Sequence, residues 1–420
     1  MATTTFNRLG SANTYDNALR NIGNRQMALS HLQENLTSGK KVVRASDDPT
    51  GAAQAERALT RISRIATDQR ALEAQRNSIA MAESTLGNVV EALQSFRELV
   101  VSAGNGGFTA SDRKTVALQL TGLRDQIFSL SNRKDTNGQP LFSALGSALT
   151  PFVGPQTTPQ DYTFDGLPGQ PGSSEVAIPF TLDGDSAFML QAGRDGAYNV
   201  GLGPTPPNPQ LHTDTVAVTN SSLVTGSTYT LSNISIGPGA LPGTSIATYD
   251  VTETLAGSVL PLAPVSVSGP EYSSPSPQIP ITVPGLRLNL TGTPAAGDTL
   301  TISPSPSLFS VLDNAIRDIG SASSNAAASQ AVNQALGNLD IGMGRVSAVR
   351  GQAGELLNRA DRISDNQDKR SIQLEADRSR AEDLDMVKGI SDFQNQQTGY
   401  QAALQSYAQV QKLSLFNYIG

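Results

Sequence analysis

Apolar and large residues recur by alternating steps of three and four at both ends of the chain. Toward the N-terminus the series is Tyr15, Leu19, Ile22, Gln26, Leu29, Gln33 and Leu36. Toward the C-terminus it is Met386, Ile390, Phe393, Gln397, Tyr400, Leu404 and Tyr407. A mean step of about 3.5 residues is that of a helix packed lengthwise against other helices. A helix cannot bury its own stripe, so each end needs a partner. The pattern predicts helices over 6–36 and about 384–416 that pair with each other and then with neighbouring copies.

The same alternation runs inward. Ser38-Gly39-Lys40 breaks the first helix, with Gly39 as its cap. Ser46-Asp47-Asp48-Pro49 reads as a helix start, a carboxylate or hydroxyl accepting from free N–H groups and Pro49 taking the first position. Leu72, Ile79, Ala82, Leu86, Val89, Leu93, Phe96 and Val100 then mark a long helix that ends at Gly104-Asn105-Gly106-Gly107. Val116, Leu120, Leu123, Ile127 and Leu130 mark a shorter one, closed by the turn Asp135-Thr136-Asn137-Gly138. Helix resumes at Ser307 and continues through about Asp383.

Between about 150 and 304 the period changes. Most of the chain's 24 prolines lie here, and short alternating stretches such as Ser227–Ile236, Ser245–Thr252, Ile279–Val283 and Leu286–Leu290 read as strands between turns. The expected fold is mainly α with a β-rich insert: a long antiparallel helical bundle or coiled coil built from both termini, plus an outer β domain. The expected division is 1–45 with 384–420 as the terminal coiled coil, 46–149 with 305–383 as a helical layer, and 150–304 as the outer insert.

Composition narrows the function. At 420 residues with 38% hydrophobic and 5% aromatic residues, no Trp and no Cys, the chain is thin in core material for a large enzyme. It offers no thiol nucleophile, thiolate metal site or disulfide. The net charge of −7 is unevenly placed, because residues 150–304 hold 11 acidic residues against only Arg194 and Arg287. No basic patch interleaved with aromatics argues for nucleic acid. No apolar run reaches the ~18 residues of a membrane span, and Met1 to Gly10 lacks the pattern of a cleaved secretory signal.

Candidate chemistry is sparse. His31 and His212 stand in unlike contexts, and neither belongs to a metal-ligand spacing. Ser38-Gly39-Lys40 lacks the upstream glycine of a phosphate loop. Asp183-Gly184-Asp185-Ser186 lacks the rest of a calcium loop and reads as an acidic turn, and Asp47-Asp48 reads as a cap rather than an acid–base pair. No cofactor, metal or catalytic residue is expected.

Leu36-Thr37-Ser38-Gly39-Lys40 followed by Ala45-Ser46-Asp47-Asp48-Pro49-Thr50-Gly51-Ala52-Ala53 resembles the N-terminal hallmark of the flagellin superfamily. Ala82 through Val100 with Gly104-Asn105-Gly106, and Arg350-Gly351-Gln352-Ala353-Gly354, resemble its next helix and its C-terminal half. Asn137-Gly138-Gln139-Pro140-Leu141-Phe142-Ser143 resembles the family turn, with Pro140 in place of an aromatic and Ala144 in place of a glycine. The ending Val410 to Gly420 and the segment Gly292 to Leu300 resemble the hook-associated branch rather than the filament subunits.

The resemblance implies a structural component of the bacterial flagellum at the hook–filament junction, on which flagellin assembles. Implied partners are copies of itself in a ring, the first hook-associated protein, flagellin, and an export chaperone with the type III export apparatus, with no nucleic acid or membrane. The implied location is the extracellular flagellum. The expected assembly interface is Tyr15, Leu19, Ile22, Leu29, Leu36, Met386, Ile390, Phe393, Tyr400, Leu404, Tyr407, Leu415 and Phe416. Two alternatives stand beside it: a flagellin, the filament subunit, and a secreted adhesin or enzyme with its activity in the insert.

Overall fold

The computed structural model describes residues 4–156, 162–203, 211–256, 258, 260–274 and 278–419, with side chains of 4–15, 410 and 412–419 left aside. The helices are α1 (Thr4–Ser38), α2 (Pro49–Ala103), α3 (Ala110–Ser131), α4 (Gly184–Phe188), α5 (Ala192–Asp195), α6 (Leu308–Ser321), α7 (Asn325–Glu382) and α8 (Met386–Ile419). The strands are β1 (Phe152–Val153), β2 (Thr163–Phe164), β3 (Tyr198–Gly203), β4 (His212–Thr213), β5 (Ala217–Val218) and β6 (Thr228–Pro238). They continue as β7 (Thr244–Thr254), β8 (Val265–Ser268), β9 (Tyr272–Ser273), β10 (Gln278–Val283), β11 (Leu286–Thr291) and β12 (Thr299–Pro304). The chain divides into two compact units, Met1–Arg70 with Ser364–Gly420, and Ala71–Ile363.

In the first unit, hydrogen bonds at the helix ends explain where the helices stop. Gly39 ends α1 at φ +72°, a left-handed conformation that a side chain disfavours. Asp48 caps α2, its Oδ1 accepting from the N–H groups of Thr50 (3.1 Å) and Gly51 (3.0 Å). Asp47 closes the preceding turn by accepting from the N–H groups of Val43 (3.2 Å) and Arg44 (2.8 Å). These bonds hold both carboxyls below the usual carboxylate range, led by the Arg44 N–H for Asp47 and the Gly51 N–H for Asp48. The link after α1 then zips onto the link before α8. Lys41 N–H donates to the Glu382 carbonyl (2.8 Å), Leu384 N–H donates to that of Gly39 (2.9 Å), and Lys40 pairs with the Glu382 carboxylate.

In the second unit, every member of the predicted α2 stripe is buried, with Ile79, Ala82, Leu86, Val89, Leu93, Phe96 and Val100 at 0% exposure. They pack with Leu120 and Ile127 of α3, Phe309, Leu312 and Ile319 of α6, and Leu339 and Val346 of α7. The first stretch of the proline-rich region joins this helical core instead of the β core: Phe152, Tyr162, Ile178, Leu182 and Phe188 are all members. Phe152, Phe188 and Phe309 stand 5.2–5.7 Å apart ring to ring, the spacing of favourable aromatic pairs.

The expected strands are present at 228–238, 244–254, 278–283 and 286–291. Besides the short β1-β2 pair, one sheet runs β3-β12-β6-β7-β8 and another runs β10-β11-β4. Their facing apolar residues, among them Tyr229, Leu231, Ile281, Leu288, Leu290 and Ile302, form a second core. The β6–β7 ladder shifts register between Ser232 and Ser235, and Asn233 takes φ +53° at that bulge.

Polar side chains of α7 finish the edges of both sheets. Gln330 Oε1 accepts from Thr213 N–H (3.1 Å), and Gln334 Oε1 accepts from Val200 N–H (3.1 Å). Gln334 Nε2 donates to Thr213 Oγ1 (3.1 Å), and Asn338 Nδ2 donates to the Tyr198 carbonyl (2.8 Å). Three side chains one turn apart on α7 thus stand in for a missing strand, so buried backbone groups of β3 and β4 stay paired.

Candidate assembly interface

Helices α1 and α8 run antiparallel and pair between residues 18–36 and 389–407. Gly389 lies against Leu36, since a Cβ there would meet the Leu36 side chain at 3.2 Å. Arg25 Nη1 donates to Gln396 Oε1 (3.3 Å) and lies beside Gly399. Ala18, Ile22 and Arg25 share a 560 Å³ cleft with Gln396, Ala403 and Tyr407. The register therefore places Ala18, Ile22, Arg25, Leu29, Leu32 and Leu36 along one seam. Facing them are Gly389, Phe393, Gln396, Tyr400, Ala403 and Tyr407.

This seam contains six of the predicted residues: Ile22, Leu29, Leu36, Phe393, Tyr400 and Tyr407, all half-buried. The other four with described side chains lie on a flank that the pair leaves open. Leu19 is 45% exposed, Met386 46%, Ile390 46% and Leu404 41%. Tyr15, Leu415 and Phe416 have side chains outside the described residues. The sequence reading missed Ala18, Arg25, Leu32, Gly389, Gln396 and Ala403. Their spacing carries the same three–four signal, but small and polar members mask it, and a heptad stripe can be read from either flank.

Candidate polar residues named from the sequence take part in local caps and ion pairs. His31 Nε2 sits 3.4 Å from Asp47 Oδ1, at the exposed end of α1. Asp183 caps α4, accepting from Asp185 N–H (3.1 Å) and Ser186 Oγ (2.6 Å). Buried Tyr162 forms a polar cluster with half-buried Arg124 and Asp313, its Oη donating to Asp313 (2.8 Å) and accepting from Arg124 (2.6 Å). Burial, reinforced by Asp313, holds the Tyr162 phenol far above its usual range. Among the described residues, no group of three or more His, Cys, Asp or Glu is placed to hold a metal. No helix there is long and apolar enough to cross a membrane.

Residues 11–146 match the bacterial flagellin N-terminal helical region, and residues 336–419 match the flagellin C-terminal helical region, together about half of the chain. The chain belongs to the flagellin superfamily.

Within that class the similarity points to one branch. The chain is 34% identical over 193 residues, 45% of its length and 56% of the relative's, to flagellar hook-associated protein 3 of Salmonella typhimurium. It spans about half the length of the curated relatives it matches. A solved structure of flagellar hook associated protein-3 from Legionella pneumophila superposes at a TM-score of 0.58 with 26% identity, covering 76% of this chain and 97% of that one. The flagellar junction protein FlgL from the same organism superposes at 0.54 with 27% identity, covering 73% and 98%.

Proposed function

We propose that this chain is a structural part of the bacterial flagellum, placed at the hook–filament junction as a platform for flagellin. The observation that carries this reading is the open flank of the terminal pair. Leu19, Met386, Ile390 and Leu404 line a helical face that the chain itself does not cover. Such a face needs other helices of the same kind. The likeness to hook-associated protein 3 supports a junction role over a filament role.

In this reading 1–45 with 384–420 line the inner tube, 46–149 with 305–383 form the layer around it, and 150–304 face outward. The interface is the set of terminal residues named above, Tyr15, Leu415 and Phe416 included. Partners are copies of this chain in a ring, the first hook-associated protein below, flagellin above, and a chaperone that escorts the chain to the type III export apparatus. The work is assembly rather than catalysis. The outward region carries 11 acidic residues and two arginines, and that surplus of negative charge keeps it solvated and resists lateral association.

The test is electron microscopy of a strain lacking the chain, with flagellin assayed in the medium. Hooks without filaments, plus monomeric flagellin in the medium, are expected. Bare hooks with no flagellin anywhere would make the chain the filament subunit, and normal flagella would sink the flagellar reading.

A further inference from the structure

We propose that copies of this chain join head to tail in the terminal unit, an apolar knob on α7 of one copy seating in a cation-rimmed cleft between α2 and α7 of the next. The proposal rests on the self-assembly reading above and names the surfaces that carry it.

The cleft has a volume of 530 Å³ and lies between the start of α2 and the end of α7. Ala58, Leu374 and Ala381 give it apolar lining; Lys41, Arg57 and Arg61 give it positive charge. The two helices approach closely at one end, where a Cβ on Gly51 would lie 3.2 Å from the Ala381 carbonyl oxygen. The two carboxylates in the cleft are already engaged. Asp48 caps α2, and Asp377 pairs with Arg380. Arg57 and Arg61 make no ion pair among the described residues. The cleft is a mainly polar hollow with an apolar patch at Ala58, Leu374 and Ala381 and spare positive charge at its rim.

The knob is Ile372, 71% exposed on α7. Asp365 and Asp368 precede it by seven and four residues, so all three share one helix face. Both carboxylates are exposed. Asp365 makes no ion pair among the described residues, and Asp368 accepts only from the neutral Gln69 amide (2.5 Å). An exposed isoleucine beside two carboxylates is complementary in chemistry and in sign to an apolar patch beside two unpaired guanidinium groups.

Their placement dictates how copies join. Leu374 lines the cleft and follows Ile372 by two residues, about 200° around the helix. Knob and cleft therefore face away from each other and cannot meet within one chain. Surfaces on opposite faces join heterologously, and repetition of such a contact closes a ring or winds a tube.

The absence of cysteine makes the test clean. Flagella are assembled from a mixture of two full-length variants, Arg57→Cys and Ile372→Cys, then oxidised and run without reductant. Cross-linked dimers in the mixture, absent from either variant alone, are expected, and Arg57→Cys/Ile372→Cys in one chain should give a ladder. Variants that enter the flagellum yet give no cross-link overturn the knob-and-cleft contact and leave the junction reading standing. Absence of even the unaltered chain from the flagellum overturns the junction reading instead.

A charge swap gives a second reading. Arg57→Glu/Arg61→Glu should lower incorporation about tenfold or more, the effect of losing two close charge pairs. Adding Asp365→Lys/Asp368→Lys to the same chain should restore it, and failure to restore would count against the proposal.

Discussion

The terminal pair and the body at 71–363 obey the same spacing rule and end with opposite burial. In the body, Ile79, Leu86, Leu93 and Phe96 are fully buried at 0% exposure. In the terminal pair, the large apolar seam residues with described side chains are at best half-buried, and Leu19, Ile390 and Leu404 are 41–46% exposed. Apolar burial is worth about 25 cal/mol per Å², so the terminal seam draws only part of its available stabilisation from its own chain. A heptad stripe tells that a face must be covered. Whether the cover comes from the same chain or from a neighbour depends on how many helices the fold supplies at that point.

The largest effects should separate those two cases. Leu29→Asp puts a charge into the half-buried α1/α8 seam and should both lower helicity and block filament growth, since a partly desolvated, unpaired charge opposes packing. Leu404→Asp sits on the open flank and should leave the isolated chain's melting curve unchanged while still blocking filament growth. Circular dichroism together with complementation of a deletion strain reads both. Normal filaments with Leu404→Asp would mean that the open flank is not an interface.

Leu93→Ala should act in the opposite sense, on stability first. Deleting a fully buried leucine costs about 2–5 kcal/mol, visible as a lower urea midpoint. A midpoint unchanged from the parent would contradict the closed core of the body. Gln334→Leu should come next, because it strands the Val200 N–H and removes the partner of Thr213 Oγ1. The expected loss is about 1–3 kcal/mol for a stranded buried group. Hydrogen exchange should localise it to β3 and β4, and uniform exchange across the sheets would argue against the ladder.

Alkaline pH gives a smaller effect confined to the body. Burial pushes the Tyr198 phenol up to about 12. An unfolded tyrosine ionises near 10. The associated stability is fully present below about pH 10 and is lost as pH rises toward the folded value. Tyr198→Phe should flatten the fall in melting temperature over that window, and an identical slope would remove Tyr198 as its cause.

The smallest effect is at Ala144, which takes φ +54° while 5% exposed. A left-handed backbone costs an alanine roughly 1–2 kcal/mol. Ala144→Gly relieves that cost but loses a buried methyl worth about 0.8 kcal/mol. The net change should stay within about 0.5–1 kcal/mol, read from the melting temperature. Ala144→Val, with a branched side chain at positive φ, should be clearly worse; equal stability of the two variants would show that backbone strain is not the issue.

Much of this architecture is local and therefore readable in the chain. The three–four alternation specified α1, α2, α3 and α8, and two-residue alternation specified the strands at 228–238, 244–254, 278–283 and 286–291. Asp48, Pro49 and Gly39 marked helix ends because capping is settled within four residues. Three things needed the folded molecule. Phe152, Tyr162 and Phe188 joined the helical core from short stretches that carry no period. Gln330, Gln334 and Asn338, polar at helical spacing, look like a solvent face until two sheet edges arrive beside them. Ile22 and Leu29 were drawn into the seam while Leu19 was left on the open flank. Periodicity reports that one face of an element differs from the other. Only the packing of distant segments decides what each face meets, because backbone edges and partner helices come from far along the chain or from another copy.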